Sequence, residues 1–271
     1  MHTTASDGMK TPAELLEIVR ESGVSVFAVT DHDTFAGSAA VRKLLQPDDP
    51  TLITGIELSA GEPGEDLHML AYFFHTETID ENSAIARAVD EFRQRRMSRG
   101  ERMVEKLIEQ GLDITLESVL NIANGSPIGR PHIADALMKS GAVKTYDEAF
   151  YTWIGYGKPA FVDKENISPN AAIDLVHESG GIIALAHPGI NKAEDELQRL
   201  IGYGLDCIEV LHPGNNAAQR KRYRKLAKAR GLAISGGSDY HGRNDHHGDV
   251  GQMQVPYEYF ERMAERAERY R

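Results

Sequence analysis

The sequence holds a single cysteine, Cys207, in 271 residues. One thiol excludes an internal disulfide and fits a reducing compartment. Cys207 stands in a strand-like run and reads as a small buried hydrophobe rather than a nucleophile. Long apolar runs are missing as well: nothing approaches the roughly 20 residues of a membrane span. The N-terminus has no apolar signal core, so the expectation is a cytoplasmic chain with no membrane partner. Positive charge is in short supply: 30 Lys and Arg stand against 41 Asp and Glu, for a net charge of −11. That argues against a broad nucleic-acid-coating surface, and no double-stranded DNA partner is expected. A phosphorylated ligand is still allowed, because bound divalent metals invert the local sign. There is no internal repeat or low-complexity segment, and no signal for an oligomeric state.

What is present is a regular alternation. Thr11-Pro12-Ala13-Glu14 is a helix start, with a Thr cap, Pro in the first turn and Glu three residues on. Strands are expected at Val24–Val29, Thr51–Ile56 and Leu67–Phe74, with a helix from about Phe35 to Leu45. From about Asp80 the pattern turns helical: one long charged stretch to Gln110, then shorter helices at Thr115–Ile122, Pro131–Lys139 and Tyr146–Ile154. The strand pattern resumes around Ala160–Val162. A helix begins at Ser168-Pro169, strand Ile182–Ala186 follows, then a helix from about Ala193 to Tyr203 and strand Asp206–Leu211. Helix Ala217–Arg230, strand Leu232–Ser235 and a closing helix Tyr257–Tyr270 complete the chain. The division expected is a β/α body of residues 1–75 and 159–271 interrupted by an all-α insert, 76–158. Alternating strands and helices argue an α/β fold, a (β/α) barrel or related parallel sheet.

Eleven histidines are plentiful for this length, and their placement is the strongest signal. His2 and Asp7 lie in the first turn. His32 lies in Thr30-Asp31-His32-Asp33, Glu57 in Gly55-Ile56-Glu57-Leu58-Ser59, and His68 in Asp66-Leu67-His68. His187 follows strand Ile182–Ala186, and Asp239 and His241 close Gly237-Ser238-Asp239-Tyr240-His241-Gly242. One such histidine is usually structural; seven or eight groups at strand ends read as one metal site. Mixed His, Asp and Glu without Cys suits Mn, Fe or Zn, as two to three divalent ions. A carboxylate such as Glu57 can bridge two ions, an arrangement typical of phosphoester hydrolysis.

The order and spacing of these motifs resemble the PHP (polymerase and histidinol phosphatase) superfamily. The resemblance covers essentially the whole chain and includes Gly129-Arg130-Pro131-His132, Gly157-Lys158-Pro159 and Ala186-His187-Pro188. Within the superfamily it is nearest in kind to nucleotide phosphoesterases with a helical insert, namely 3′,5′-nucleotide bisphosphate phosphatases and 5′-to-3′ exoribonucleases. It implies a distorted (β/α)7 barrel. It implies three metal positions: His2, Glu57 and Asp239; Glu57, His68 and His187; Asp7, His32 and His241. It also implies a substrate-phosphate contact at Arg130 and His132. The family opens Asp-Leu-His-x-His, whereas here Met1 stands at x and His2 is the second His. Either the chain is N-terminally truncated at its first strand, or it is a variant with a weakened first metal position.

In the insert, Arg95, Arg99, Arg102 and Lys106 recur on one helix face. That face is either solvated, balanced by Glu101 and Glu105, or a basic lining for substrate. Arg130, beside the helix-starting Pro131, offers a bidentate fork to phosphate; Lys158 is a weaker candidate. The basic run Arg220–Arg230 reads as solvated surface, with a nucleic-acid contact as the alternative; His246 and His247 read as surface, and His212 as an outer partner of the site. His75, His177 and Trp153 read as structural, and Met97, Met103 and Met138 as packing.

The expected activity is metal-dependent phosphoester hydrolysis of a nucleotide such as pAp, or of short 5′-phosphorylated RNA. Metal-activated water attacks phosphorus, Arg130 and the metals offset phosphoryl charge, and His187, His132 or a metal-bound water is the candidate proton donor, with Asp239 also essential. The competing reading is a non-catalytic metal- or nucleotide-binding module.

Overall fold

A computed structural model of the chain describes residues 1–62, 65, 67–76, 79–189, 196–243 and 248–271. Asp66, Ala193, His246 and His247 lie outside the described residues. The chain divides into two compact units, Met1–Val89 with Asn166–Arg271, and Asp90–Glu165.

The first unit is built on a six-stranded mixed sheet in the order β1-β2-β3-β4-β5-β6. The strands are β1 (Val26–Val29), β2 (Thr51–Ala60), β3 (Leu67–Phe73), β4 (Ile182–Leu185), β5 (Cys207–Leu211) and β6 (Ala233–Gly236). Helices α1 (Pro12–Glu21), α2 (Ala36–Arg42), α7 (Pro169–Glu178), α8 (Leu197–Tyr203), α9 (Ala217–Arg230) and α10 (Tyr257–Ala267) belong to the same unit. α1 starts as its sequence dictates: Thr11 Oγ1 accepts from the Glu14 N–H, and the Glu14 carboxylate accepts from the Thr11 N–H.

The sheet is not wholly parallel. β1–β2, β4–β5 and β5–β6 pair in parallel, but β3 runs antiparallel to both β2 and β4. The reason is the short link from Ala60 to Leu67, which is hairpin length; a parallel crossover needs a dozen or more residues. The reversal has a consequence for the site. His68 sits at the start of β3, yet it pairs with Ser59 near the end of β2, so both strands present polar groups at the same end. Glu57 also lies inside a ten-residue β2 rather than just beyond a shorter strand. β1 and β6 are the two edges of the sheet. Residues of both edges line a cavity of about 510 Å³ that reaches Glu57, His187 and Asp239.

A second polar cluster ties the last helix to the body. Asp206, fully buried, accepts from Arg266 Nε at 2.6 Å, Tyr270 Oη at 3.2 Å and the Ile183 N–H at 3.1 Å. Its other close partner is His177 Nε2 at 2.7 Å, and the His177 ring stacks on Tyr270 with centroids 4.0 Å apart.

The helical unit holds most of α3 (Ala84–Glu109), with α4 (Leu116–Ala123), α5 (Arg130–Ser140), α6 (Tyr146–Ala149) and a π-helical turn at Phe150–Ile154. Its own core includes Met103, Leu107, Val119, Ile133, Leu137 and Ile154. Met97 and Trp153 pack against this core, while Met138 is exposed. Ala160, expected at the return to the strand architecture, is buried in this helical core, and Val162 packs against it. The carbonyls of Phe161 and Val162 are held by Lys106 and Arg99 of α3, so the chain regains the first unit only at Asn166 and Ile167. Ile167 then bridges to Ala60.

Burial alone would raise the pKa of Asp206, but His177, Arg266 and the Ile183 N–H outweigh it and hold the carboxyl below its ordinary value. A depressed carboxylate stabilises the fold above the unfolded carboxyl pKa, near 4, and loses that contribution as pH falls through its folded value. Asp206→Ala is expected to cost about 3–5 kcal/mol at pH 7 in urea unfolding. The gap from wild type should narrow below about pH 4.

Candidate metal centre

The N-terminal turn is fastened by a carboxylate. Asp31, with no solvent exposure, accepts from the Thr3 N–H at 2.7 Å, Thr3 Oγ1 at 2.8 Å and Ser6 Oγ at 2.7 Å. The backbone adds to this. Thr30 N–H donates to Met1 O, and His2 N–H donates to Tyr240 O, so residues 1–2 lie against the chain beyond both β1 and β6. Gly37, on α2, comes so close that a Cβ there would fall 1.8 Å from Asp31 Oδ2. A residue with a side chain would therefore displace the carboxylate that holds the turn.

This turn delivers His2 and Asp7 to a group centred on Glu57. The Glu57 side chain is buried and lies 2.7 Å from His68 Nδ1, 3.1 Å from His2 Nε2, 3.3 Å from His187 Nε2 and 4.0 Å from His32 Nδ1. His2 Nε2 is also 3.1 Å from Asp239 Oδ1. Asp7 is approached by His241 Nε2 at 3.5 Å, His2 Nδ1 at 3.7 Å and His32 Nε2 at 3.8 Å. Three sets offer donor atoms within 4.8 Å of one another: His2, Asp7, His32 and His241; His32, Glu57 and His68; His2, Glu57 and Asp239. All eight residues singled out as metal ligands are thus brought together, His187 through its contact with Glu57.

Two of these residues are held in strained backbone. His187 has φ +28° and Asp239 φ +53°, in the left-handed region that bulky side chains avoid. Each is over-determined by its neighbours. The His187 N–H donates to Glu209 Oε2 at 2.7 Å. The carboxylate of Asp239 sits between His2 and His212 Nε2, the latter at 3.5 Å. Asn215 donates to the carbonyls of Glu209 and Val210 and accepts from the Gly189 N–H, which fixes the loops that follow β4 and β5. Asp33, at φ +51°, accepts from the Ser59 N–H and hydroxyl and so ties the His32 loop to β2.

The electrostatics call for cations. Burial pushes Glu57, Asp7 and Asp239 up, yet the imidazoles around them outweigh it and hold all three well below the usual carboxylate range. For His2, burial pulls down, but Asp239 and Glu57 raise it to about 10. His2 Nδ1 and His187 Nδ1 are buried with no hydrogen-bond partner, which is costly unless the ring is otherwise engaged. Imidazoles and carboxylates with no thiolate are the donor set of Mn, Fe or Zn. The residues present fit divalent metal ions.

The basic candidates belong to the helical unit, where each has an identifiable contact. Arg99 is buried, donates from Nε to Val162 O at 2.7 Å and lies over the Phe161 ring. Arg102 is 3.6 Å from Glu165. Arg130, in the first turn of α5, lies over Phe150, and Lys158 lies over Tyr151. The His132 ring turns back so that Nδ1 accepts from the Gly129 N–H at 3.1 Å, capping α5. Sequence reasoning gave no role to Asp31, Asp33, Glu209 or Asn215. For Glu209 there was a signal: a lone carboxylate inside the apolar run Cys207–Leu211 must be buried with a partner.

No protein-family model matches the chain. Among curated proteins, it is 32% identical over 248 residues to 5′-3′ exoribonuclease Rnm of Salmonella typhimurium, covering 89% of this chain and 83% of that one. It is 32% identical to a phosphoribosyl 1,2-cyclic phosphate 1,2-diphosphodiesterase of Eggerthella lenta, covering 90% and 93%. It is 27% identical to a 3′,5′-nucleoside bisphosphate phosphatase of Chromobacterium violaceum, covering 93% and 90%. Among solved structures, one described as a metal-dependent phosphoesterase from Bifidobacterium adolescentis superposes with TM-score 0.87 at 32% identity, over 98% of this chain and 94% of that one. These relatives are all named for hydrolysis of phosphate esters, and the buried cluster around Glu57 offers imidazole and carboxylate donors that could hold a metal ion. The chain belongs to the PHP family of metal-dependent phosphoesterases and is a phosphoric ester hydrolase.

Proposed function

We propose that this phosphoesterase acts on nucleotides, removing a phosphate from a 3′,5′-bisphosphonucleotide such as pAp or cleaving short 5′-phosphorylated RNA from its 5′ end. The observation that carries the reading is Glu57: a buried carboxylate contacted by His2, His68 and His187, within a cluster of eight ligand-type residues. The relatives named for RNA and for nucleoside bisphosphates point to the same substrate class.

Two to three Mn, Fe or Zn ions are the proposed cofactors. His2, Glu57 and Asp239 would hold one, Glu57, His68 and His187 a second, and Asp7, His32 and His241 a third. When bound, such ions lower the pKa of water toward neutrality and neutralise phosphoryl charge. The chain's own part is positional. Asp31 holds the turn bearing His2 and Asp7, while Glu209 holds His187 through its backbone. His212 faces Asp239, with Nδ1 engaged by the Gly214 N–H, so its Nε2 is the atom turned to the carboxylate. The six-stranded sheet with β1 and β6 at its edges is compatible with the distorted (β/α)7 barrel that the resemblance implies. Arg130, a guanidinium in the first turn of α5, is the proposed phosphate contact of the helical unit.

His187→Ala and Asp239→Asn are each expected to lower phosphate release by about 100-fold or more, with far-UV circular dichroism unchanged. Turnover within twofold of wild type in both would remove the scheme. Chromatography of products from pAp and from a 5′-phosphorylated RNA 12-mer, each with Mn²⁺, separates the two activities. AMP and inorganic phosphate are expected from the first, mononucleotides from the second. No product from either, with metal loaded, leaves a binding module.

A further inference from the structure

α9 is unlike the rest of this acidic chain. It carries seven of the chain's 30 Lys and Arg residues and none of its 41 acids. Lys221, Arg224, Lys225 and Lys228 are exposed, and among the described residues no carboxylate pairs with them. At 100° per residue these four fall within about a quarter-turn of one another, with Arg220 beside them. Tyr223 and Ala227 occupy the opposite, buried face.

This arrangement does not serve the helix itself. A solvated helix usually spaces opposite charges at i and i+4. Here Arg220 and Arg224, Lys221 and Lys225, and Arg224 and Lys228 place like charges at that spacing, which is destabilising. A stripe that weakens its own element is suited to a polyanion that neutralises it.

Its position names the polyanion. α9 begins where β5 ends at the metal centre: Arg220 Nη2 donates to His212 O at 2.9 Å, and His212 faces Asp239. From there the helix descends beside β5 and β6, because those strands pair in parallel and α9 is their crossover. Fourteen residues give a track of roughly 21 Å leading away from the site. None of the large exposed apolar side chains lies on α9, so the stripe lacks the anchor of a lipid-inserting helix.

We infer that α9 is a docking track for the downstream phosphates of single-stranded RNA whose 5′ end lies at the metal centre. The inference rests on the nucleotide reading above and deepens it: the substrate is an oligonucleotide, held by its backbone outside the catalytic cluster. Binding along α9 is sequence-independent and salt-sensitive.

The test compares wild type with the quadruple variant Lys221→Gln, Arg224→Gln, Lys225→Gln, Lys228→Gln. Thermal unfolding confirms that both are folded. Fluorescence anisotropy of a labelled, 5′-phosphorylated RNA 12-mer is measured in EDTA, so that no turnover occurs, across a salt series. Wild type should bind with a steep salt dependence. The variant should bind about tenfold or more weakly at low salt, with a log–log slope shallower by about 2 to 3. Its turnover of pAp with Mn²⁺ should equal that of wild type. Equal RNA affinity and slope in the two proteins, or no RNA binding by wild type, would overturn the track. Wild-type binding to phosphatidylserine vesicles in place of RNA would overturn it in favour of a membrane surface. If neither pAp nor RNA is hydrolysed, the nucleotide reading fails, and the anisotropy comparison still decides on α9.

Discussion

A single buried carboxylate organises this protein. Glu57 sits in the middle of β2, almost without solvent, where an uncompensated charge costs several kcal/mol. Four imidazoles approach it within 4.0 Å, from the N-terminal turn, the loop after β1, the start of β3 and the loop after β4. Each element is placed so that its histidine reaches that point. The antiparallel course of β3 puts His68 beside Glu57, and the left-handed backbone of His187 turns its ring inward. Around this cluster stands a second set of carboxylates, Asp31, Asp33 and Glu209. These accept mainly backbone and hydroxyl hydrogen bonds and so fix the loops that carry the cluster.

Much of this was legible in the sequence, because ligand chemistry leaves a local mark. A His or carboxylate at the end of an apolar run is visible residue by residue, and all eight such groups converge. The helix starts at Thr11 and Ser168 were equally plain, because a capping side chain and its backbone partner are neighbours in sequence. What was not legible depends on pairing across the sheet. The extension of β2 through Glu57 depends on its ladder with β3, and the seating of β3 beside β4 joins strands far apart in the chain. The role of Asp31 was hidden for another reason: a carboxylate that holds a loop looks, in sequence, like one that binds a metal or faces water.

The basic residues divide in an instructive way. Arg99 and Lys106 in the helical unit spend their hydrogen bonds on carbonyls of Phe161 and Val162, closing that unit's own fold. His132 caps α5. Arg99 and His132 are phosphate contacts by type, and each also has a local partner in the helical unit. Lys221, Arg224, Lys225 and Lys228 on α9 have no such partner within the described residues. Charge that the fold uses and charge that the fold leaves over are thus distinguishable only once the partners are known.

The central claim is that Glu57, held ionised among its imidazoles, would serve as the shared ligand of the divalent ions. The most direct measurement is equilibrium dialysis of wild type and Glu57→Gln against Mn²⁺, followed by elemental analysis of the retained metal. The account predicts about two or three ions per wild-type chain and the loss of at least one of them, with weaker binding of the rest, when the bridging charge is removed. Equal stoichiometry and affinity in the two proteins would contradict it.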